Sequence, residues 1–237
     1  MAESLDIVHR DDRLLAINKH SGALVHRGWA NEADAVVVTE LAAALVGHPV
    51  FPAHRIDRAT SGLLLLALDE DAARALGAQF EAGTVGKRYL ALTRGLAPEA
   101  IEIDYPLRPL DGKTGKRRKT EDARPAQPAR TSLRRLAAVE FDERNFSLVE
   151  ARPHSGRTHQ IRRHLKHISH PIIGDVRYGK GALNRRFREA VGLQRLALHA
   201  AALTLVHPNG EALTLRAPLP ADLAEPLLAL GFAVDGI

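Results

Sequence analysis

The feature that most constrains the fold is a short, unbroken apolar run, Leu63 to Leu68, which directly follows a charged stretch of chain. Because every position is apolar, the pattern predicts a strand over Gly62 to Leu68 that is buried on both faces. The run is far shorter than the roughly 20 residues that a membrane-spanning helix needs. Met1 to Asp12 also lacks the basic start and apolar centre of a signal peptide. We therefore expect a cytoplasmic protein with no membrane association.

Strand patterns outnumber helix patterns along the chain. Asp69 is a good cap for a helix that ends at Gly83, Ser155 is a candidate cap for a basic helix that His170-Pro171 stops, and Asn209-Gly210 is a strong hairpin signal. The remaining predicted elements are strands at 5–9, 14–18, 87–93, 101–105, 132–141, 146–151, 196–206 and 212–216, and a final helix at 221–230. Strand pairs interrupted by single helices predict an α+β fold around a mixed, largely antiparallel sheet, in one domain over residues 1–237.

The charge balance indicates an anionic partner. Lys and Arg number 33 against 28 Asp and Glu, which gives a formal net charge of +5 and a sequence pI of about 9.8. A basic surface of this kind is typical of proteins that bind nucleic acid. The chain has no cysteine, which excludes disulfides, thiolate catalysis and cysteine-based zinc sites.

A long basic connection runs from Pro106 to Arg130. Its basic residues are Arg108, Lys113, Lys116, Arg117, Arg118, Lys119, Arg124 and Arg130. Loops of this length are usually functional or disordered, and the charge favours a loop that binds phosphates over a solvated tether without a partner. Gly112-Lys113-Thr114 resembles the end of a phosphate-binding P-loop, but Leu107 occupies the place of the required first glycine, so we reject that match.

A lone carboxylate, Asp57, lies between Arg55 and Arg58 just before the apolar run. Nearby positive charge favours the ionised form of a carboxyl group, so Asp57 is a candidate nucleophile. The alternative is that the two arginines form ordinary ion pairs at the edge of a strand. The local sequence leaves both interpretations open.

Histidines and arginines are interleaved from Ala151 to Gly174, a stretch that contains no acid. His164 and His167 are three residues apart on the predicted helix, as metal ligands often are, but the arginines between and around them would repel a dication. We therefore predict no metal site and favour contacts with phosphates and bases. A Ser/His/Asp hydrolase is disfavoured because the chain has no Gly-x-Ser-x-Gly motif.

Several separated segments together resemble the ordered motifs of the RluA-type pseudouridine synthases. The segments are His54-Arg55-Ile56-Asp57-Arg58-Ala59-Thr60-Ser61-Gly62, Lys87-Arg88-Tyr89, Gly156-Arg157-Thr158-His159-Gln160-Ile161-Arg162 with Pro171-Ile172-Ile173-Gly174-Asp175, and Leu198-His199-Ala200. The resemblance implies a cofactor-free isomerisation in which the glycosidic bond of a uridine is cut and the uracil turns and rejoins the ribose through carbon. A base inside a duplex exposes neither reacting atom, so the target must be flipped out.

The resemblance also assigns roles to individual residues. It implies that Asp57 carries the nucleophilic step, that Tyr89 packs on the target uracil and helps to remove the proton from C5, and that Arg162 pairs with Asp57. Arg55 would occupy the gap left by the flipped base. The other predicted RNA contacts are His54, Arg58, Arg157, His159, Lys116, Arg117, Arg118 and Lys119.

Further segments favour a family member that acts on the T stem of tRNA. They are Leu24-Val25-His26-Arg27, Gln127-Pro128-Ala129 and Gly192-Leu193-Gln194-Arg195-Leu196. No separate N-terminal RNA-binding domain is expected in 237 residues, and the predicted state is a monomer without an obligate protein partner. The alternatives are a ribosomal-RNA substrate, or a basic RNA-binding protein without chemistry. Two departures from the family pattern are His20 after Lys19, and Ala59 where proline is frequent.

Overall fold

The computed structural model describes residues 5–27, 35–110 and 124–234. Within these residues the chain forms ten strands and five helices. The strands are β1 (Ile7–Arg10), β2 (Leu14–Lys19), β3 (Phe51–Pro52), β4 (Ser61–Ala67), β5 (Gly86–Arg94), β6 (Ala100–Asp104), β7 (Arg130–Phe141), β8 (Arg144–Pro153), β9 (Leu198–Val206) and β10 (Ala212–Arg216). The helices are α1 (Val38–Val46), α2 (Glu70–Ala82), α3 (Gln160–His167), α4 (Gly181–Val191) and α5 (Ala221–Ala229). None of the helices in the described ranges is long and apolar enough to cross a membrane.

The chain divides into two compact units. Unit 1 contains Met1–Tyr89 and Leu198–Ala224, and unit 2 contains Leu90–Ala197 and Glu225–Ile237. The chain passes from unit 1 to unit 2 within β5, returns immediately before β9, and passes to unit 2 again within α5. Strand pairing in unit 1 is mixed and in unit 2 antiparallel, which confirms the predicted α+β class with a mixed, mostly antiparallel arrangement of strands.

Unit 1 is built around the predicted apolar strand. β4 is buried at all seven positions, pairs antiparallel with β2 and β3, and pairs parallel with β9 at its first two residues. Because side chains alternate across a strand, its leucines supply two separate cores. Leu63 and Leu65 pack in one core with Leu76 of α2, and Leu64 and Leu66 pack in the other with Ala42 of α1.

Unit 2 contains a three-stranded antiparallel arrangement in the order β8-β7-β6. An aromatic cluster lies beside it, in which the rings of Phe146 and Phe187 meet edge to face with their centroids 4.8 Å apart. Phe187 lies on α4 and is completely buried, so it anchors that helix.

Most predicted elements are confirmed within two or three residues. Asp69 caps α2 by accepting a hydrogen bond of 2.8 Å from the backbone N–H of Ala72, and Gly83 ends the helix in the left-handed conformation. The predicted hairpin at Asn209-Gly210 joins β9 to β10, which pair antiparallel with Val206 opposite Ala212. Helices α1 and α4 and the short strand β3 were not predicted.

The predicted cap at Ser155 is wrong. Helix α3 begins at Gln160, and the residue before it, His159, is in the left-handed conformation with φ 54°. The cause is the Gln160 side chain, whose Oε1 accepts hydrogen bonds from Ser155 Oγ at 2.6 Å and from the Arg157 backbone N–H at 3.1 Å. Residues 155–159 therefore wrap around this amide instead of forming a helical turn.

Candidate active site

Asp57 lies in unit 1, on the loop between β3 and β4, and its residue is half-buried. Its carbonyl oxygen accepts a hydrogen bond of 3.0 Å from the backbone N–H of Thr60, which closes a tight turn immediately before β4. Thr60 is buried and β4 is fully buried, so the turn is attached directly to the core of the unit. The fold thus presents the candidate nucleophile from a short, constrained loop.

A buried lysine is hydrogen-bonded to the backbone of this loop. Lys19, the last residue of β2, is only 1 % exposed. Its Nζ donates three hydrogen bonds to backbone carbonyl oxygens, those of His20 at 2.8 Å, Ala23 at 2.9 Å and Arg58 at 3.1 Å. Hydrogen bonds from a charged group are roughly twice as strong as neutral ones. We call this arrangement the Lys19 clamp, because it joins residues 19–23 to the loop that carries Asp57.

Neighbouring bonds reinforce the Lys19 clamp. Ser21 Oγ donates to the carbonyl oxygen of Ala59 at 2.8 Å, and the Gly22 backbone N–H donates to that of Arg58 at 2.8 Å. In return, Arg58 Nε donates to the Gly22 carbonyl oxygen at 2.8 Å. Arg58 therefore has a structural contact in addition to the RNA contact predicted for it.

The start of β4 is fixed by a buried polar pair. His199 is completely buried, its Nε2–H donates to the Ala217 carbonyl oxygen at 3.1 Å, and its Nδ1 accepts from Ser61 Oγ at 2.8 Å. The adjacent Gly62 has φ +107°, and a Cβ at this position would lie 2.3 Å from the carbonyl oxygen of Ala200. Glycine is required here because β9 passes too close for any side chain.

Tyr89 in β5 is electrostatically coupled to Asp57. Burial raises the pKa of the Tyr89 phenol far above its ordinary value, and the negative charge of Asp57 raises it further. The structure therefore brings two of the three predicted catalytic residues within electrostatic reach of each other in unit 1. At neutral pH the Tyr89 side chain is a neutral phenol.

His54 has a structural environment that sequence reasoning missed. Burial, and then the nearby ammonium group of Lys87, lower the pKa of His54 from 6.5 to about 4. Its Nε2 accepts a hydrogen bond of 3.1 Å from the Leu65 backbone N–H, and its ring stacks on Phe80 with centroids 4.9 Å apart. A neutral ring cannot pair with phosphate as a cation, although an RNA contact of another kind stays a prediction. Arg55, next to it, is exposed.

Arg162 lies in unit 2, where it forms a buried ion pair. Its Nε and Nη2 donate to the two carboxylate oxygens of Asp175, at 2.7 and 2.9 Å. The two residues are 7 % and 1 % exposed, and their opposite charges offset the cost of burying each of them alone. The predicted pairing of Arg162 with Asp57 stays a prediction.

Asp175 is the centre of a network around Arg162. Burial disfavours its charge, but the Arg162 guanidinium and the backbone N–H groups of Tyr178 and Arg177 outweigh this and lower the pKa of Asp175. Arg162 also lies over the Tyr178 ring, 5.2 Å from its centroid, and Tyr178 Oη is hydrogen-bonded to His159 Nδ1 at 3.0 Å. Sequence reasoning assigned no role to Asp175, although it is the first acid after the acid-free stretch.

The remaining predicted RNA contacts have different outcomes. Arg157 is exposed, and its Nε donates to the Pro128 carbonyl oxygen at 3.3 Å. Lys116, Arg117, Arg118 and Lys119 lie outside the described residues. Within the described ranges, no group of three His, Asp or Glu side chains converges in a way that could hold a metal ion.

Comparison with known proteins supplies the family. A family profile described as RNA pseudouridylate synthase matches residues 13–167. A Haemophilus ducreyi protein named tRNA pseudouridine synthase C is 44% identical over 212 residues, which cover 86% of this chain and 86% of that protein. The protein of the same name from Salmonella typhimurium is 41% identical over 236 residues, which cover 96% of this chain and 90% of that protein.

Solved structures agree with the sequence relatives. Human RNA pseudouridylate synthase domain containing 4 is 32% identical with a TM-score of 0.74, and the match covers 95% of this chain and 93% of that one. Human RNA pseudouridylate synthase domain containing 1 is 26% identical with a TM-score of 0.75, over 94% and 88% of the two chains. Since the profile spans more than half of the sequence and the relatives nearly all of it, the chain belongs to the RluA-type family of RNA pseudouridylate synthases, enzymes that isomerise uridine in RNA.

Proposed function

We propose that this enzyme converts a uridine in the T stem of tRNA to pseudouridine. The tRNA substrate is supported by the names of the relatives at 40–44% identity, and the T-stem position by the motifs at 24–27, 127–129 and 192–196. The main support for the chemistry is the electrostatic coupling of Asp57 to Tyr89, because it places a carboxylate near a partly buried phenol ring within one unit.

In the proposed reaction Asp57 is the nucleophile. The C1′–N1 bond of the uridine breaks, a C1′–C5 bond forms, and the proton lost from C5 is balanced by a proton gained at N1. A carboxylate on a short, constrained loop suits this step because little motion is needed to reach the flipped nucleotide.

Tyr89 supports the step as a neutral phenol. Its raised pKa keeps the side chain protonated at neutral pH, so it does not act as a phenolate base. In this proposal the ring packs against the uracil, and the hydroxyl group relays the proton that is lost from C5. In this proposal Arg162, held by Asp175, directs the Asp57 carboxylate, and the exposed Arg55 fills the space left by the flipped base.

We also propose that residues 1–237 act as one catalytic domain, as a cytoplasmic monomer. The family profile supports the single domain because its span, 13–167, takes residues from both compact units. The predicted catalytic residues are likewise divided, since Asp57 and Tyr89 belong to unit 1 and Arg162 to unit 2.

The test is to incubate the purified protein with unmodified tRNA and ribosomal RNA and to map new pseudouridines. We expect product in the T stem, and none from Asp57→Ala, which should still bind RNA. The matched control is Asp71→Ala, an exposed aspartate on α2, which should keep full activity. Product confined to ribosomal RNA would refute the tRNA substrate, and activity in Asp57→Ala would refute the nucleophile. RNA binding by the wild type without any conversion would favour the non-catalytic alternative.

A further inference from the structure

A cavity of about 270 Å³ lies within unit 2 and is not used by the reaction described above. Its walls come from three segments: residues 105–110 after β6, the last turns of α3, and residues 177–178. Small-molecule sites usually occupy about 300–1,000 Å³. The cavity lies just below the lower end of this range, so a ligand inside it is no larger than a single nucleotide.

Two stacked rings form one part of the wall. The ring of Tyr105 lies against that of His167, with centroids 3.8 Å apart and planes inclined by 17°. Tyr105 is 37 % exposed and His167 is exposed, so this aromatic pair is accessible from solvent. Rings at the surface of a basic protein are the platforms on which unpaired bases stack.

The aromatic pair is held rigidly from behind. The backbone N–H of Tyr105 donates to the Ala129 carbonyl oxygen at 3.1 Å, and its own carbonyl oxygen accepts from His164 Nε2–H at 3.0 Å. His164 is completely buried, and its Nδ1 accepts from Thr131 Oγ1 at 2.9 Å. A platform fixed in this way loses little conformational entropy when a ligand stacks on it.

The charge of the cavity is entirely positive. Arg163 and Lys166 line it from α3, and Arg177 lines it from the turn that contains Asp175. Its remaining lining residues in the described part of the chain are Leu107, Leu110 and Tyr178, so no acid is among them. Arginine and lysine beside an aromatic surface suit a phosphate attached to a flat base.

We propose that this cavity binds one unpaired nucleotide of the substrate RNA, different from the uridine that reacts. The base stacks on the pair formed by Tyr105 and His167, and its phosphate is bound by Arg163, Lys166 and Arg177. A nucleotide inside a duplex cannot reach rings that line a cavity, because its faces are covered by its neighbours. This inference rests on the proposed function only in taking RNA as the substrate.

The test measures the dissociation constant for the substrate tRNA with Tyr105→Leu, which keeps the bulk and removes the ring. We expect Kd to rise roughly 5- to 100-fold, with kcat at saturating RNA unchanged. Lys166→Gln should raise Kd and reduce the slope of log Kd against log salt by about one, whereas the matched control Arg74→Gln, on α2 of unit 1, should change neither.

A second probe, a perfect RNA duplex, separates stacking from backbone contacts. Tyr105→Leu should bind it as the wild type does, and equal weakening on both RNAs would overturn the proposal, as would an unchanged Kd for tRNA. Should Tyr105→Leu fail to fold, His167→Gln removes the other ring from an exposed position and should also weaken tRNA binding. A wild type that forms no pseudouridine would refute the proposed function, while these affinities would still decide the role of the cavity.

Discussion

We predict that His54 makes the stability of this protein depend on pH between 6.5 and 4. In the folded state burial and the Lys87 ammonium lower the pKa of His54 to about 4, whereas the unfolded chain has the ordinary value of 6.5. As pH falls below 6.5 the unfolded state takes up a proton that the folded state does not. The contribution to stability is therefore complete above pH 6.5, is lost as pH falls, and stops changing below about pH 4.

The magnitude follows from the two pKa values. Between pH 8 and pH 5 the linkage relation gives a loss of at most about 2 kcal/mol in the free energy of unfolding, since the residue is partly exposed. The perturbation is His54→Gln. The glutamine carbonyl oxygen replaces Nε2 as the acceptor for the Leu65 backbone N–H but does not titrate.

The assay is urea unfolding of wild type and variant at pH 8 and pH 5. We expect the free energy of unfolding of His54→Gln to fall by less than that of the wild type over this interval, with a difference of up to about 2 kcal/mol. His48→Gln, at an exposed position after α1, serves as the control and should lose as much as the wild type. If His54→Gln and the wild type lose the same amount, the inference of a neutral, buried His54 is wrong.

Two further predictions concern the loop that carries Asp57. Gly62→Ala should lower the free energy of unfolding by roughly 3 kcal/mol in urea titrations, because its Cβ would lie 2.3 Å from the Ala200 carbonyl oxygen. The control Gly77→Ala in α2, where a Cβ would have no atom within 4 Å, should not be destabilised, and equal stability of the two variants would contradict this reasoning. Lys19→Met should cost about 3 kcal/mol in the same assay and reduce kcat more than it raises KM for RNA, and an unchanged kcat would show that the Lys19 clamp does not position the loop.

The elements that could be predicted are those whose sequence carries its own signal. β4 is apolar at every position, α2 has the Asp69 cap and the Gly83 stop, and the last hairpin has Asn209-Gly210. Helices α1 and α4 also end at a glycine, Gly47 and Gly192, but Val37 and Lys180 at their N-termini provide no side-chain cap, so nothing marks where these helices begin. Their stability comes from packing, which a single sequence does not reveal.

The sequence motifs supplied candidate site residues, but not the side-chain pairings that the structure shows. The motifs supplied Asp57, Tyr89 and Arg162, yet the ion-pair partner seen for Arg162 is Asp175, thirteen residues along the chain. That pairing depends on the turn at Gly174, where φ is +78° and a Cβ would lie 1.8 Å from the carbonyl oxygen of Arg195. Contacts of this kind join separate segments through backbone atoms, so they produce no periodic pattern in the sequence from which they could be predicted.

The Lys19 clamp has an evolutionary consequence, because it recognises the main chain. Lys19 and Ser21 bind carbonyl oxygens of residues 20, 23, 58 and 59, and a carbonyl oxygen is supplied by every amino acid. Substitutions at those four positions therefore leave the hydrogen-bond acceptors in place, whereas a substitution of Lys19 or Ser21 removes the donor and breaks the hydrogen bonds. Ala59 is an example, since the hydrogen bond from Ser21 uses only its carbonyl oxygen.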